Sequence, residues 1–439
     1  MRASARGLAG GGFALALVVA GCTSASQEGG SSGDSETGTE TSGDGDGDGE
    51  GQPCGPEISV PAQRWFVAPD IGWASVDGAE SYSLRIAVAG TDFETEALVS
   101  IDDAGTSWAG ELPVGSYQVQ VRAEPSGEAC MASFAVRTLD ATPDVVSPET
   151  LCAGAEGVGS GIAYGLAVLD GSVYASINLD GAGICRYDAE TLAYVDTLPG
   201  FGGNFRTFGV WAEAEQDALY FSSYPFVGMC GDRLDRIVRV VDPDGAASVE
   251  TFDIGVEAAN SIALGPGGLI HTSGPWAGNC WQEDSFCLDF GAPCTKGDAG
   301  WASVELDTLV GLSHSSVPNV NVGIAVDADA VYRAGVMDSL EIFDPSTGPL
   351  HSIPMPASPR GLIRIDEGGD RLLVVTSFDN TLRVYRLPAA GPPSSAEDLD
   401  LALELALDDR YWQGWYDRET NALYFPAQES RTIRRHNLR

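Results

Sequence analysis

The chain has 439 residues, 44% of them hydrophobic, and a formal net charge of -39 at pH 7. That length accommodates two or three domains and a large core. So acidic a surface repels phosphate backbones and anionic headgroups, which sets it against nucleic-acid and electrostatic membrane binding.

Residues 1–22 read as an export signal. Arg2 and Arg6 supply a positive start, and Leu8 to Ala20 an apolar run too short to span a bilayer. The stretch Val19-Ala20-Gly21-Cys22 resembles the bacterial lipobox at all four positions. The resemblance implies that Cys22 is lipidated and becomes the mature N-terminus, so that the lipid is the membrane attachment. Thr23 after the cysteine, rather than Asp, implies a cell-envelope location at the outer membrane or cell surface.

Residues 23–52 are Ser, Gly, Thr and acid, ending in Gly43-Asp-Gly-Asp-Gly-Asp-Gly-Glu-Gly51. With nothing bulky to bury they are expected to be a disordered linker, about 30 Å end to end before charge repulsion lengthens it. Asp44, Asp46 and Asp48 begin like an EF-hand loop, but its twelfth position is Gly55, which speaks against calcium.

Residues 53–142 alternate apolar and polar at Ile71–Trp73, Tyr82–Val88, Ala97–Ile101, Tyr117–Val121 and Phe134–Val136. Turn residues separate these runs at the spacing of a β-sandwich. Trp73, the lead-in Ala79-Glu-Ser-Tyr82 and the corner Leu112-Pro-Val-Gly-Ser-Tyr117 resemble a fibronectin type III module. The resemblance implies a spacer or adhesive role.

Nine cysteines, less Cys22, leave Cys54, Cys130, Cys152, Cys185, Cys230, Cys280, Cys287 and Cys294. Even parity in an exported chain reads as disulfides, with 105 connectivities open. A Cys54–Cys130 bridge would close a long loop, worth about 4 kcal/mol in the chain-entropy model. Cys152 with Cys185, and Cys230 with one cysteine of the 280–294 cluster, are further candidate pairs.

Residues 143–439 carry one pattern six times: a small residue, an apolar run, an acidic or Gly turn and a second apolar run. The copies open at Gly165, Gly209, Ser261, Gly323, Gly361 and Gly414, and each is trailed by another short apolar run such as Ile184–Asp188 or Leu382–Tyr385. Four short strands per unit at a period of roughly 40–60 residues predict a six-bladed β-propeller in an all-β chain. Residues 143–153 are expected to lend a strand to the last unit and so hide an edge. The run Leu399–Leu407 alternates with period two, which predicts an outer strand despite its helix-favouring composition.

The phrases Asn260-Ser-Ile-Ala-Leu-Gly-Pro-Gly-Gly268 and Pro359-Arg-Gly-Leu362 resemble the NHL and gluconolactonase-like propellers. That resemblance implies that residues just before the innermost strands face a central funnel, here Arg206, Asn260, Asn321, Arg360 and Gln413. In the lactone-hydrolysing members a divalent metal such as calcium sits at this mouth. Asn260 and Asn321 match in type, but no carboxylate holds an equivalent position and Glu257 is only nearby. Two arginines there would oppose a cation, so neither cofactor nor metal is expected. No catalytic residue is assigned.

Arg206 and Arg360 instead point to an anion, held two-pronged if it is a carboxylate. Trp276 and Trp281, in an insert with three cysteines, are candidate recognition residues. The expected function is a binding or interaction module for a protein, glycan or small-molecule ligand, with a lactonase or lyase using the funnel as the alternative.

Overall fold

The computed structural model describes residues 56–60, 63–65, 70–146, 162–178, 183–198, 205–225, 236–253, 261–265, 268–273, 301–305, 311–314, 320–335, 338–344, 348–367 and 370–438. The expected signal, lipidation site Cys22 and linker, and Cys54, Cys152, Cys230, Asn260, Trp276, Trp281, Cys280, Cys287 and Cys294, lie outside the described residues. Two compact units divide the chain, Met1–Arg137 and Thr138–Arg439. Among the described residues no helix is long and apolar enough to cross a membrane.

In the first unit, strands Ile58–Ser59, Ile71–Trp73 and Ser107–Trp108 form one sheet. Strands Gln63–Trp65, Ser81–Val88, Ala97–Ala104, Gly115–Glu124 and Ala129–Arg137 form a second. Alternate residues of Ser81–Val88 and Gly115–Glu124 are buried, as period-two patterning requires. Trp73, Leu84, Ile86, Val119, Val121 and Phe134 from both sheets share one apolar cluster. The Tyr117 hydroxyl donates to the Pro113 carbonyl at 2.5 Å, pinning the turn before its own strand. Cys130 is a buried free thiol, and burial, with Glu57 and Glu128 nearby, pushes it above its ordinary range. A Cys54–Cys130 bridge is therefore not a feature of this structure.

The second unit contains six four-stranded antiparallel sheets. Blade 1 is Ile162–Leu169, Ser172–Asn178, Gly183–Asp188 and Tyr194–Leu198, and blade 2 is Phe205–Glu213, Ala218–Pro225, Arg236–Val241 and Ser248–Asp253. Blade 3 is Ser261–Gly265, Leu269–Ser273, Trp301–Glu305 and Gly311–His314; blade 4 is Val320–Val326, Val331–Gly335, Ser339–Asp344 and Gly348–Pro354. Blade 5 is Pro359–Glu367, Asp370–Ser377, Thr381–Arg386 and Asp400–Ala406. Blade 6 takes Trp415–Asp417, Ala422–Ala427 and Thr432–Asn437 from the C-terminus and Asp144–Val145 from the start of the unit. The first strand of each blade packs beside the first strand of the next, and that of blade 6 returns to blade 1. The result is an all-β, propeller-like ring. The run expected as an outer strand is one, since Asp400–Ala406 pairs with Thr381–Arg386.

The glycine that opens the second, fourth and fifth repeats has a physical cause. A Cβ on Gly209 would lie 2.7 Å from the Ser261 Cα, and one on Gly323 or Gly361 would lie 2.5 Å from the carbonyl oxygen of Arg360 or Trp412. Neighbouring inner strands approach too closely for a side chain. The strand also bulges here, shifting register between Ala163 and Gly165, Thr207 and Val210, Val320 and Ile324, and Pro359 and Gly361. In blades 1, 2 and 5 a hydroxyl from the second strand accepts from the glycine N–H: Ser176 at 3.1 Å, Ser222 at 2.8 Å and Thr376 at 2.9 Å. A bulge leaves backbone unpaired, and these hydroxyls restore the bond.

Arginines tie blade to blade. Arg186 of blade 1 reaches Asp244 of blade 2, and Arg364 and Arg371 of blade 5 converge on Asp327 of blade 4. Burial alone would raise the Asp327 carboxyl, but those two guanidiniums hold it below its ordinary value. Arg435 closes the ring: it binds Asp144 of the closing strand at 2.7 Å and donates to the Ala189 carbonyl of blade 1. The second unit begins at Thr138 rather than Pro143, because Leu139 bridges Leu438 and the Asp140 N–H bonds the Asn437 carbonyl. Cys185 is disulfide-bonded, with its side chain buried in blade 1.

Candidate functional site

Arg360 is the extra residue of the blade 5 bulge, since Pro359 pairs with Ser377 and Gly361 with Thr376. A bulge re-aims the side chain it carries. Antiparallel order puts the start of this strand at the same end of the blade as the Ser377–Thr381 turn. The guanidinium carbon lies 4.3 Å from the centre of the Phe378 ring and 3.8 Å from that of Trp412, just ahead of the first strand of blade 6. Tyr164, the bulged residue of blade 1, lies with its ring centre 5.0 Å from that of Trp412. Blades 5 and 6 thus deliver two aromatic rings against one cation, and blade 1 adds a third beside Trp412.

Arg360 is 2% exposed. Its Nη2 donates to Gln428 at 2.9 Å, while Nε and Nη1 are buried without a hydrogen-bond partner. The other buried arginines among the described residues each have a carboxylate: Arg333 has Glu341, Arg383 has Asp379 and Glu404, and Arg434 has Asp408. Arg360 has aromatic faces instead. Burial, and then the nearby Arg410 charge, push its guanidinium down to about 10.

The neighbouring charges are committed elsewhere. The Asp409 carboxylate accepts from the backbone N–H groups of Arg410, Glu429 and Ser430 and from the Ser430 hydroxyl. Burial opposes its ionisation, but those bonds outweigh it and hold the carboxyl below its ordinary value. Arg410 pairs with Glu429 at 3.2 Å, both well exposed. One uncompensated buried cation remains.

Gln413, expected to face a ligand, has another task. Its Oε1 accepts from the Ile324 and Leu362 N–H groups, both at 3.2 Å, and its Nε2 donates to the carbonyls of the same two residues. Two donors and two acceptors are the full capacity of an amide. It is 8% exposed and clips the inner strands of blades 4 and 5, so it has nothing left for a ligand.

Aligned on the repeat's small residue, the positions equivalent to Arg360 are Tyr164, Phe208, Val322 and Gln413. Arg206 and Asn321 therefore stand one or two residues before that position, and their side chains lie outside the described residues. Asn260 does occupy it, outside the described residues. The aromatic partners Phe378, Trp412 and Tyr164 were missed; only Tyr164 had a sequence signal, as the residue before Gly165. Among the described residues no group of three or more His, Cys, Asp or Glu side chains is arranged to hold a metal.

No family model matches the chain, and no curated protein does. Among solved structures it is similar to a structural genomics protein of unknown function from Bacteroides thetaiotaomicron, at 12% identity and TM-score 0.47, over 89% of this chain and 99% of that one. A chain of the mitotic checkpoint complex is similar at 12% identity and TM-score 0.40, over 74% and 84%. A gluconolactonase from Xanthomonas campestris is similar at 16% identity and TM-score 0.45, over 68% and 95%. All three scores lie below 0.5, so the propeller-like arrangement rests on this chain's own strand order and ring closure.

Proposed function

We propose that this is an envelope-tethered binding protein: lipidated at Cys22, held off the membrane by the acidic segment 23–52, spaced by a fibronectin-like unit and binding a ligand at the propeller end that carries Arg360. One observation carries the binding reading. A buried guanidinium with no carboxylate, under aromatic rings, is a costly arrangement that folding alone does not require. The ring supports it from below, because bulge, glycine contacts and Gln413 fix the backbone on which Arg360 sits.

Protein isolated from its own cells without denaturation should release a bound compound when unfolded, detected by mass spectrometry. The same preparation of Arg360→Met should release none. A compound retained equally by both proteins, or absent from both, contradicts binding at this end. For the tether, Cys22→Ala should abolish lipid labelling and membrane retention; a lipid-free, soluble wild type contradicts it.

A further inference from the structure

The chemistry around Arg360 narrows the ligand class, resting on the binding reading above. A guanidinium offers five N–H groups in two bidentate edges, and Gln428 takes one N–H of Nη2. Whichever edge that bond uses, the other keeps both its donors, since Nε and Nη1 have no partner. Two parallel N–H donors on a planar cation match the two oxygens of a carboxylate.

The charge balance favours a single negative charge. Arg410 is paired with Glu429, and the Asp409 carboxylate is taken up by three backbone N–H groups and the Ser430 hydroxyl, which leaves the single positive charge of Arg360 to be met. In a chain of net charge -39, a dianion at this point would carry surplus charge into a negative field. The rings set the rest of the ligand. Phe378 is 45% exposed although it covers the cation, and Trp412 and Tyr164 are half-buried beside it. An aromatic wall beside a cation suits a flat apolar body.

We infer that Arg360 binds the carboxylate of a small organic monoacid on its free edge, with the acid's aromatic or apolar body packed against Phe378, Trp412 and Tyr164. Phe378, at the exposed Ser377–Thr381 turn, is the side chain that moves to admit it.

The test is calorimetric titration of the purified full-length protein with benzoate, acetate and inorganic phosphate. Benzoate should bind saturably and at least ten-fold more tightly than acetate, and phosphate should give no saturable heat. Arg360→Lys keeps the charge but loses the fork, and should weaken benzoate at least ten-fold. Phe378→Ser, at an exposed position with little bearing on folding, should weaken it several-fold and keeps the test informative should the arginine variant unfold. Phosphate binding as tightly as benzoate, benzoate binding indifferent to both substitutions, or no anion binding overturns the inference. A non-acidic compound that leaves with the unfolded wild type but not with Arg360→Met would sink the carboxylate assignment alone and leave the binding reading standing.

Discussion

Two residues equally polar in sequence, Arg360 and Gln413, have opposite roles. Gln413 is saturated: its amide supplies the backbone pairing that two inner strands, pressed side by side at the axis, cannot give each other. Gln413→Leu would leave two N–H groups and two carbonyls buried and unpaired, each costing about 1–3 kcal/mol. Some relaxation will offset that sum, and a net loss of at least about 3 kcal/mol in urea unfolding is expected. A change below about 1 kcal/mol would mean that water replaces the amide without cost. Arg360 is the reverse case, a charged group with donors to spare. Residue type and position made both look like ligand contacts, because a side chain's hydrogen-bond partners across the ring have no trace in local sequence.

At the scale of the strand, the repeated small residue is the most informative feature of the chain. It marks where one blade's inner strand meets the next blade's backbone, and where the bulge turns Arg360 out of register. Gly361→Ala would set a methyl 2.5 Å from the Trp412 carbonyl oxygen and should cost about 2 kcal/mol in thermal or urea unfolding, as overpacking does. Gly105→Ala, with nothing within 4 Å, should be near neutral. Equal effects would show that the close approach is not what selects glycine. The repeat pattern made the strands, the ring and the closing strand readable, because period-two burial and turn residues are local signals. The exit of Leu399–Leu407 as a strand follows the same logic: pairing with Thr381–Arg386 overrides Ala, Glu and Leu propensity. The aromatic cage was not readable, since Phe378, Trp412 and Tyr164 come together only through contacts between blades 5, 6 and 1.

For the whole molecule, ring closure is the feature on which stability turns. His436 sits at that seam, its Nδ1 bonded to the Asp140 carbonyl at 2.8 Å and its Nε2 to the Tyr411 hydroxyl at 3.0 Å. A carbonyl only accepts, so Nδ1 carries the proton and Nε2 accepts from the tyrosine in the neutral ring. Burial lowers the His436 pKa below its ordinary value. The unfolded imidazole titrates at about 6.5, so below that pH the unfolded chain takes up a proton that the folded chain resists. Stability should therefore fall as pH drops from 7 through about 6 to 5. Urea midpoints across that range should decline in the wild type and decline less in His436→Gln. Parallel declines would assign the acid sensitivity elsewhere.

The arginines complete the account at this scale. In a chain with 24 basic and 63 acidic residues, a guanidinium has no shortage of carboxylates. Arg186, Arg364, Arg371 and Arg435 use them to join neighbouring blades or close the ring. Arg360 alone among the buried arginines described is left with rings. A guanidinium pushed down to about 10 from its ordinary 12.5 carries a burden on the order of 3 kcal/mol. Cation–π contact returns part of it. If the charge is there for a ligand, removing it should relieve the fold. Urea unfolding of ligand-free Arg360→Met, beside Arg383→Met as a paired control, measures this directly. The account predicts that Arg360→Met gains about 1 kcal/mol or more while Arg383→Met, whose loss strands Asp379 and Glu404, becomes less stable. A loss of stability in Arg360→Met as large as in Arg383→Met would show that Arg360 holds the ring together, and would contradict a site kept ready for a ligand.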